Sequence, residues 1–323
     1  MFRTIAILLL SVFLTSAALT NNILVIVNRG ESTMSFVDAK EMKLIATVPT
    51  ASGPHEVVTS ADGKTAFVSI YGTQQPGSML AIFDVTTQKE LKRFDLMPLM
   101  RPHGMVVLGG RIYFSAEANN AVGRYDIAAG KVDWLIGTGQ SVSHMVVVSA
   151  DQKKIYTPNI GSDTVTAIEF NNVPPAASKT THIPVGKQPE AIDISPDGKQ
   201  VWAGLNGDAG IDVIDTATNK VIDRVKLGER PYRVRFTPDG RLVMATMPNT
   251  KELILIDAAT RKETKRIKLE SSPLGLIFTP DGKTAYVTAS NEDVVLKIDM
   301  ETGETIAKTA VGKTPDGIAI GKR

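Results

Sequence analysis

The 323-residue sequence contains no cysteine. That excludes disulfides, thiolate metal sites, cysteine nucleophiles and haem attachment through cysteine, so any metal must be held by histidine, carboxylate or backbone oxygen. Aromatic residues are few, at 6%, and there are only 4 histidines. Neither sign of charge dominates: 36 Lys and Arg face 34 Asp and Glu, a formal net charge of +2, with the basic residues scattered. Such a distribution gives no electrostatic footprint for nucleic acid or an anionic membrane. Nucleophile elbow, phosphate loop, paired zinc-helix histidines and helical periodicity beyond the first residues are all missing. What remains is a chain that is 43% hydrophobic, enough to bury a large core.

At the N-terminus Arg3, an apolar stretch over Thr4–Leu14 and the small residues Thr15-Ser16-Ala17-Ala18 read as an export signal cut after Ala18. The apolar run is short for a bilayer span and is followed at once by Thr20-Asn21-Asn22. The expectation is a signal peptide over 1–18 and one domain over 19–323, periplasmic or secreted, with no transmembrane segment after cleavage.

The dominant feature is an internal repeat. Ser195-Pro196-Asp197-Gly198-Lys199, Thr237-Pro238-Asp239-Gly240-Arg241 and Thr279-Pro280-Asp281-Gly282-Lys283 follow one another every 42 residues. Degenerate copies occur at Ser60–Lys64, Leu108–Arg111 and Ser149–Lys153. Asp-Gly between apolar runs signals a hairpin turn, because glycine takes positive φ without steric cost. After each turn comes a β-rich strand, then a second ending in an acidic residue, as in Val213-Ile214-Asp215, then a third leading to Gly and usually Pro. Four short antiparallel strands per repeat predict an all-β, seven-bladed propeller. The first repeat begins at its second strand, Ile23–Val27, and the sequence ends on a lone first strand, Pro315–Ile320. Pairing the two closes the ring and removes two open edges.

Tyr286-Val287-Thr288, Tyr156-Thr157-Pro158-Asn159 and Val213-Ile214-Asp215-Thr216, with the Pro-Asp-Gly-Lys turns, resemble the YVTN family of β-propeller repeats. Phe67-Val68-Ser69-Ile70 and Trp202-Ala203-Gly204-Leu205 depart from its pattern. The resemblance runs along the whole chain after the signal and implies ligand sites at one mouth of the central channel. Propellers that look similar include lactonases, lyases, copper-dependent oxidoreductases and cell-surface scaffolds. Its motifs are architectural, so they carry little function. The acidic residues that end the second strands are expected to bond their own turns. The recurring Phe67, Tyr113, Tyr156, Trp202 and Tyr286 are expected to pack between blades.

One repeat position varies informatively. Aligned on the residue before the innermost strand (Pro54, Pro102, Ser143, Pro189, Pro231, Pro273, Pro315), the next residues are His55, His103, His144, Glu190, Tyr232, Leu274 and Asp316. Three histidines on one position of consecutive blades, with a carboxylate on the fourth, can converge at the channel mouth. Three readings are open: a transition-metal site (Cu, Zn or Fe) built from His55, His103, His144 and Glu190; a metal-free polar site for a small anion or acid–base chemistry; or histidines that only cap strands. Tyr71, Glu117, Asn159 and Asn206 are expected on the rim, with Arg101 and Arg230 drawing an anionic ligand and Tyr232 and Asp316 completing the ring. Glu117 and Glu190 are the candidate acid–base groups. The resulting expectation is a monomeric propeller that binds a small molecule or anion at this mouth, possible roles being a metal-dependent enzyme or a scaffold for a protein or polysaccharide.

Overall fold

A computed structural model describes residues 22–171 and 178–323. The export signal expected over 1–18 lies outside the described residues. Seven four-stranded antiparallel sheets form the blades of a propeller. Blade 1 is built from Asn22–Asn28, Thr33–Asp38, Lys43–Pro49 and the last strand, Pro315–Lys322. Blades 2 to 7 follow in chain order, with innermost strands Pro54–Thr59, Pro102–Leu108, Val147–Val148, Pro189–Ile194, Arg233–Phe236 and Pro273–Phe278. The ring closes as expected, Leu24 pairing with Ile320 and Val25 with Ala319.

The recurring residues do architectural work. Asp62, Asp151, Asp197, Asp239 and Asp281 each accept a hydroxyl two residues earlier and a backbone N–H two residues later. Of each Asp-Gly pair only the glycine takes positive φ, 71° at Gly198 for example. Asp84, Asp126, Asp215, Asp257 and Asp299 likewise accept N–H groups of their own turns. Phe67, Tyr113, Tyr156, Trp202 and Tyr286 are buried. Three of their hydroxyls reach the next blade: Tyr113 to Gln152, Tyr156 to Asn219 and Tyr286 to the Ala39 carbonyl.

The innermost strands are not simple alternating strands. In blades 2, 3, 5 and 7 the pairing skips a residue just after the repeat proline, as from Pro54–Ile70 to Val57–Val68. A bulge of this kind turns consecutive side chains toward one side. Its freed N–H is caught by a hydroxyl on the second strand: Glu56 by Ser69, Gly104 by Ser115 and Gly275 by Thr288. In blade 6 Thr246 catches the corresponding N–H of Arg233. Ser115, Thr246 and Thr288 donate in turn to the carbonyls of His144, Leu274 and Asp316 in the following blade. In blades 3, 6 and 7 the small-hydroxyl position of the repeat thus ties the start of the innermost strand to the neighbouring blade.

Candidate functional site

The bulges aim His55 and Glu56 from blade 2 and His103 from blade 3 into the channel, and in blade 6 Arg233, the first residue of the innermost strand, joins them. Glycines allow the close approach this needs. A Cβ on Gly104 would lie 2.6 Å from the Met145 Cα, and one on Gly317 would lie 2.7 Å from the His55 carbonyl oxygen.

His55, His103 and His144 form an arc of packed imidazoles, with ring centroids 4.1 Å apart between the first two and 3.9 Å between the last two. The Tyr71 ring stands edge-on to both His55 and His103, at 5.2 and 5.3 Å. His103, in the middle, is 1% exposed, and among the described residues neither ring nitrogen has a hydrogen-bond partner. Burial, reinforced by the neighbouring histidines and by Arg233 and Arg29, holds its pKa well below the ordinary histidine value. The ring is therefore neutral near pH 7, with a lone pair available.

His144 sits between two carboxylates. Its Nδ1 lies 2.6 Å from Glu117 Oε2, and its Nε2 lies 3.8 Å from Glu190 Oε1. The Tyr71 hydroxyl donates to the other oxygen of Glu117 at 2.5 Å. Burial tends to raise the Glu117 carboxyl, but the bonds from His144 and Tyr71 outweigh it and leave the group below its usual range. Burial and the Glu117 bond push Tyr71 up to about 12, so it stays a neutral donor. Asn206 donates to Glu190.

His55 Nε2 is 2.8 Å from an Arg29 nitrogen, while its Nδ1 faces Asp316 at 3.4 Å and Glu56 at 3.6 Å. Asp316 also accepts from Arg29 and Tyr232. Burial and the Asp316 charge push the Tyr232 hydroxyl well above its ordinary value. Beneath the imidazoles Glu56 forms a buried ion pair with Arg233 across the channel. Burial alone would raise Glu56, but the Arg233 guanidinium overrides it and keeps the carboxylate charged. Past this pair lies a chamber of about 360 Å³ lined by Val57, Met105, Val147, Asp193, Val234 and Arg235, among others.

Other sequence candidates are placed as follows. Arg101 lies over the Tyr71 ring at 4.6 Å. With Arg29, His55 and Tyr71 it lines a hollow of about 470 Å³ between blades 1 and 2. Asn159 is fully buried and spends its amide on Ser143, Thr164 and Thr166, so it supports blade 4 and does not face the mouth. Arg230 is exposed, its backbone N–H held by Glu229. The fourth histidine, His182, bonds the Thr138 carbonyl from an outer strand. Sequence reasoning missed Glu56, Arg233 and Arg29. The first two directly follow the mouth position, and for Glu56 a bulge after the repeat proline was the available signal.

Comparison with known proteins places the chain in a family. The profile described as the cytochrome D1 heme domain matches residues 111–283, more than half of the chain. The chain belongs to the cytochrome D1 heme domain family. The D1 match includes Glu117, His144, Glu190 and Arg233, whereas His55, Glu56 and His103 lie before it. Among solved structures, hydrazine synthase of Kuenenia stuttgartiensis is similar at 21% identity and a TM-score of 0.71, covering 82% of this chain and 89% of that one. A functionally unknown protein from Desulfotomaculum acetoxidans is similar at 12% identity and a TM-score of 0.79, covering 93% and 98%. The dihydro-heme d1 dehydrogenase NirN, in complex with DHE, is similar at 14% identity and a TM-score of 0.64, covering 92% and 74%. At these identities the likeness is one of fold. No curated protein matches the sequence. Among the described residues no helix is long and apolar enough to cross a membrane.

A tetrapyrrole is the group the D1 family implies, and the donors can be tested against it. An imidazole that ligates metal is typically oriented by donating its other N–H to a carboxylate. Glu117 holds His144 in that way and leaves Nε2 without a hydrogen bond among the described residues, 3.8 Å from Glu190 Oε1. His103, sealed under its neighbours, is not reachable by a flat macrocycle as the side chains stand. The residues fit iron ligation through His144.

Proposed function

We propose that the protein is an exported ligand-binding propeller, with repeats of the YVTN type, that holds an iron tetrapyrrole at the histidine mouth through His144. The observation that carries this reading is the Tyr71–Glu117–His144 chain, which presents one imidazole nitrogen of a D1-family residue with its tautomer fixed. Such a group would supply redox and ligand-exchange chemistry at its iron. In this reading Glu117 orients the imidazole and strengthens it as a donor, and Tyr71 orients Glu117. Arg29 and Arg101, flanking the adjacent hollow, attract carboxylates. Glu190, held by Asn206 next to His144, is the group placed to take up or release a proton. Export through residues 1–18 would put the domain, 19–323, in the periplasm or outside the cell.

Haemin titrated into the purified protein and followed by its Soret band tests the reading. One saturable equivalent is expected, lost in a His144→Ala variant whose circular dichroism is unchanged. No spectral shift, or the same shift in the folded variant, would overturn it.

A second reading has its own support. The full set His55, His103, His144 and Glu190 lies side by side along the arc, which favours a transition-metal ion without a macrocycle. That form takes up Cu, Zn or Fe salts and gives no response to haemin.

A further inference from the structure

We propose that His55, Glu56 and His103 form a separate, buried site for one divalent transition-metal ion, beneath the mouth and distinct from His144. One ligand atom from each of the three lies within 4.8 Å of the others. All three residues are at most 9% exposed. Three nitrogens here are buried without a partner: both of His103 and Nδ1 of His55. Buried polar atoms are normally satisfied, and an unpaired one is costly unless something binds it. Among the described residues no donor or acceptor supplies that partner to His103, and a metal ion would.

The donor set selects the ion. Two imidazoles and a carboxylate suit Zn²⁺ or Fe²⁺, with remaining positions left open, and disfavour Mg²⁺ and Ca²⁺, which prefer oxygen. Metal–ligand bonds of about 2.0–2.1 Å in tetrahedral geometry put ligand atoms roughly 3.3 Å apart. His55 Nδ1 and Glu56 Oε1 are already 3.6 Å apart, and the His103 ligand atom, within 4.8 Å of its two partners, has to close in on them.

Two cations now stand where the ion would compete. Arg233 holds Glu56, yet it also lies 3.8 Å from Asp316 and keeps that partner when Glu56 turns to the metal. Arg29 donates to His55 Nε2. Ligation through Nδ1 puts the proton on Nε2, so Arg29 must let go. Its side chain is 45% exposed and can swing outward while Asp316 remains beside it. Arg29 is thus a competitor of the metal, and its removal should tighten binding.

The test is titration of the metal-free protein with Zn²⁺ by calorimetry, with Co²⁺ absorption as an independent report of nitrogen and oxygen ligation. The wild type should take up one equivalent. His103→Gln and His55→Gln, both checked for folding by circular dichroism, should each weaken it by more than about 100-fold, beyond the effect of losing an outer-sphere partner. Arg29→Ala should bind more tightly than wild type. His144→Ala should keep Zn²⁺ binding while losing haemin, which separates this site from the tetrapyrrole reading. No uptake by wild type, uptake unchanged in the folded glutamine variants, or its loss in folded His144→Ala would overturn the proposal.

Discussion

Blades 2–4 and blades 5–7 share one architecture and divide its tasks. Blades 5–7 carry the regular Pro-Asp-Gly turns, and their mouth residues are Glu190, Tyr232 and Leu274. Blades 2–4 carry degenerate turns and all three mouth histidines, and blade 4 reduces its innermost strand to Val147–Val148. The buried, unpartnered imidazole nitrogens are in blades 2 and 3. At the mouth position the regular blades place Glu190, bonded by Asn206, and Tyr232, bonded to Asp316, whereas the degenerate blade 3 places His103 with neither ring nitrogen partnered among the described residues. The Glu56–Arg233 pair joins the two halves across the channel.

Breaking that bridge should have the largest effect. Glu56→Leu leaves the Arg233 guanidinium buried with only the more distant Asp316, and should cost about 3–5 kcal/mol in urea unfolding. Adding Arg233→Met should recover most of the loss, whereas a double variant as unstable as the single would show that the pair is not the unit of stability. In the regular half, Trp202→Ala removes a fully buried ring packed on Phe236. Its expected cost is about 3–5 kcal/mol, with metal binding per folded molecule unchanged. His103→Phe inverts that pattern. Exchanging unsatisfied nitrogens for carbon should be neutral or stabilising by about 1 kcal/mol, while Zn²⁺ uptake disappears; a loss of several kcal/mol would mean that the imidazole is structural.

The smallest effect belongs to an exception in the regular half. Asp193 in blade 5 has its pKa raised by burial, only partly offset by Arg235 and two backbone N–H groups. A carboxyl whose folded pKa lies above its unfolded value of about 3.9 contributes stability that is complete below that pH and fades as pH rises through the folded pKa. The two N–H groups go to different carboxylate oxygens, so Asp193→Asn keeps only one of them and loses some stability at every pH, but it should compare better with the wild type at pH 7 than at pH 3.5. Unfolding curves at the two pH values check this, and an equal change at both would contradict it.

The architecture was legible in the sequence because turn chemistry and strand alternation repeat. The Asp197, Asp239 and Asp281 turns and the closing strand Pro315–Lys322 fall where the pattern put them. The convergence of His55, His103 and His144 followed from one register position. Glu56 and Arg233 were not legible for two physical reasons. A bulge breaks the alternation that tells inward from outward, and their contact joins residues 177 apart in sequence across an axis no local pattern describes. Asn159 shows the opposite error: its polar side chain, at a rim position in the repeat, is consumed by Ser143, Thr164 and Thr166.

The histidine mouth, in the function proposed above, holds a metal-centred ligand. Elemental analysis and absorption spectra of protein purified from its native compartment, comparing wild type with a His55→Ala, His103→Ala, His144→Ala variant, test it most directly. Bound metal is expected in the wild type and none in a variant that is still folded. Wild-type protein that carries no metal and takes up neither haemin nor Zn²⁺ would contradict it.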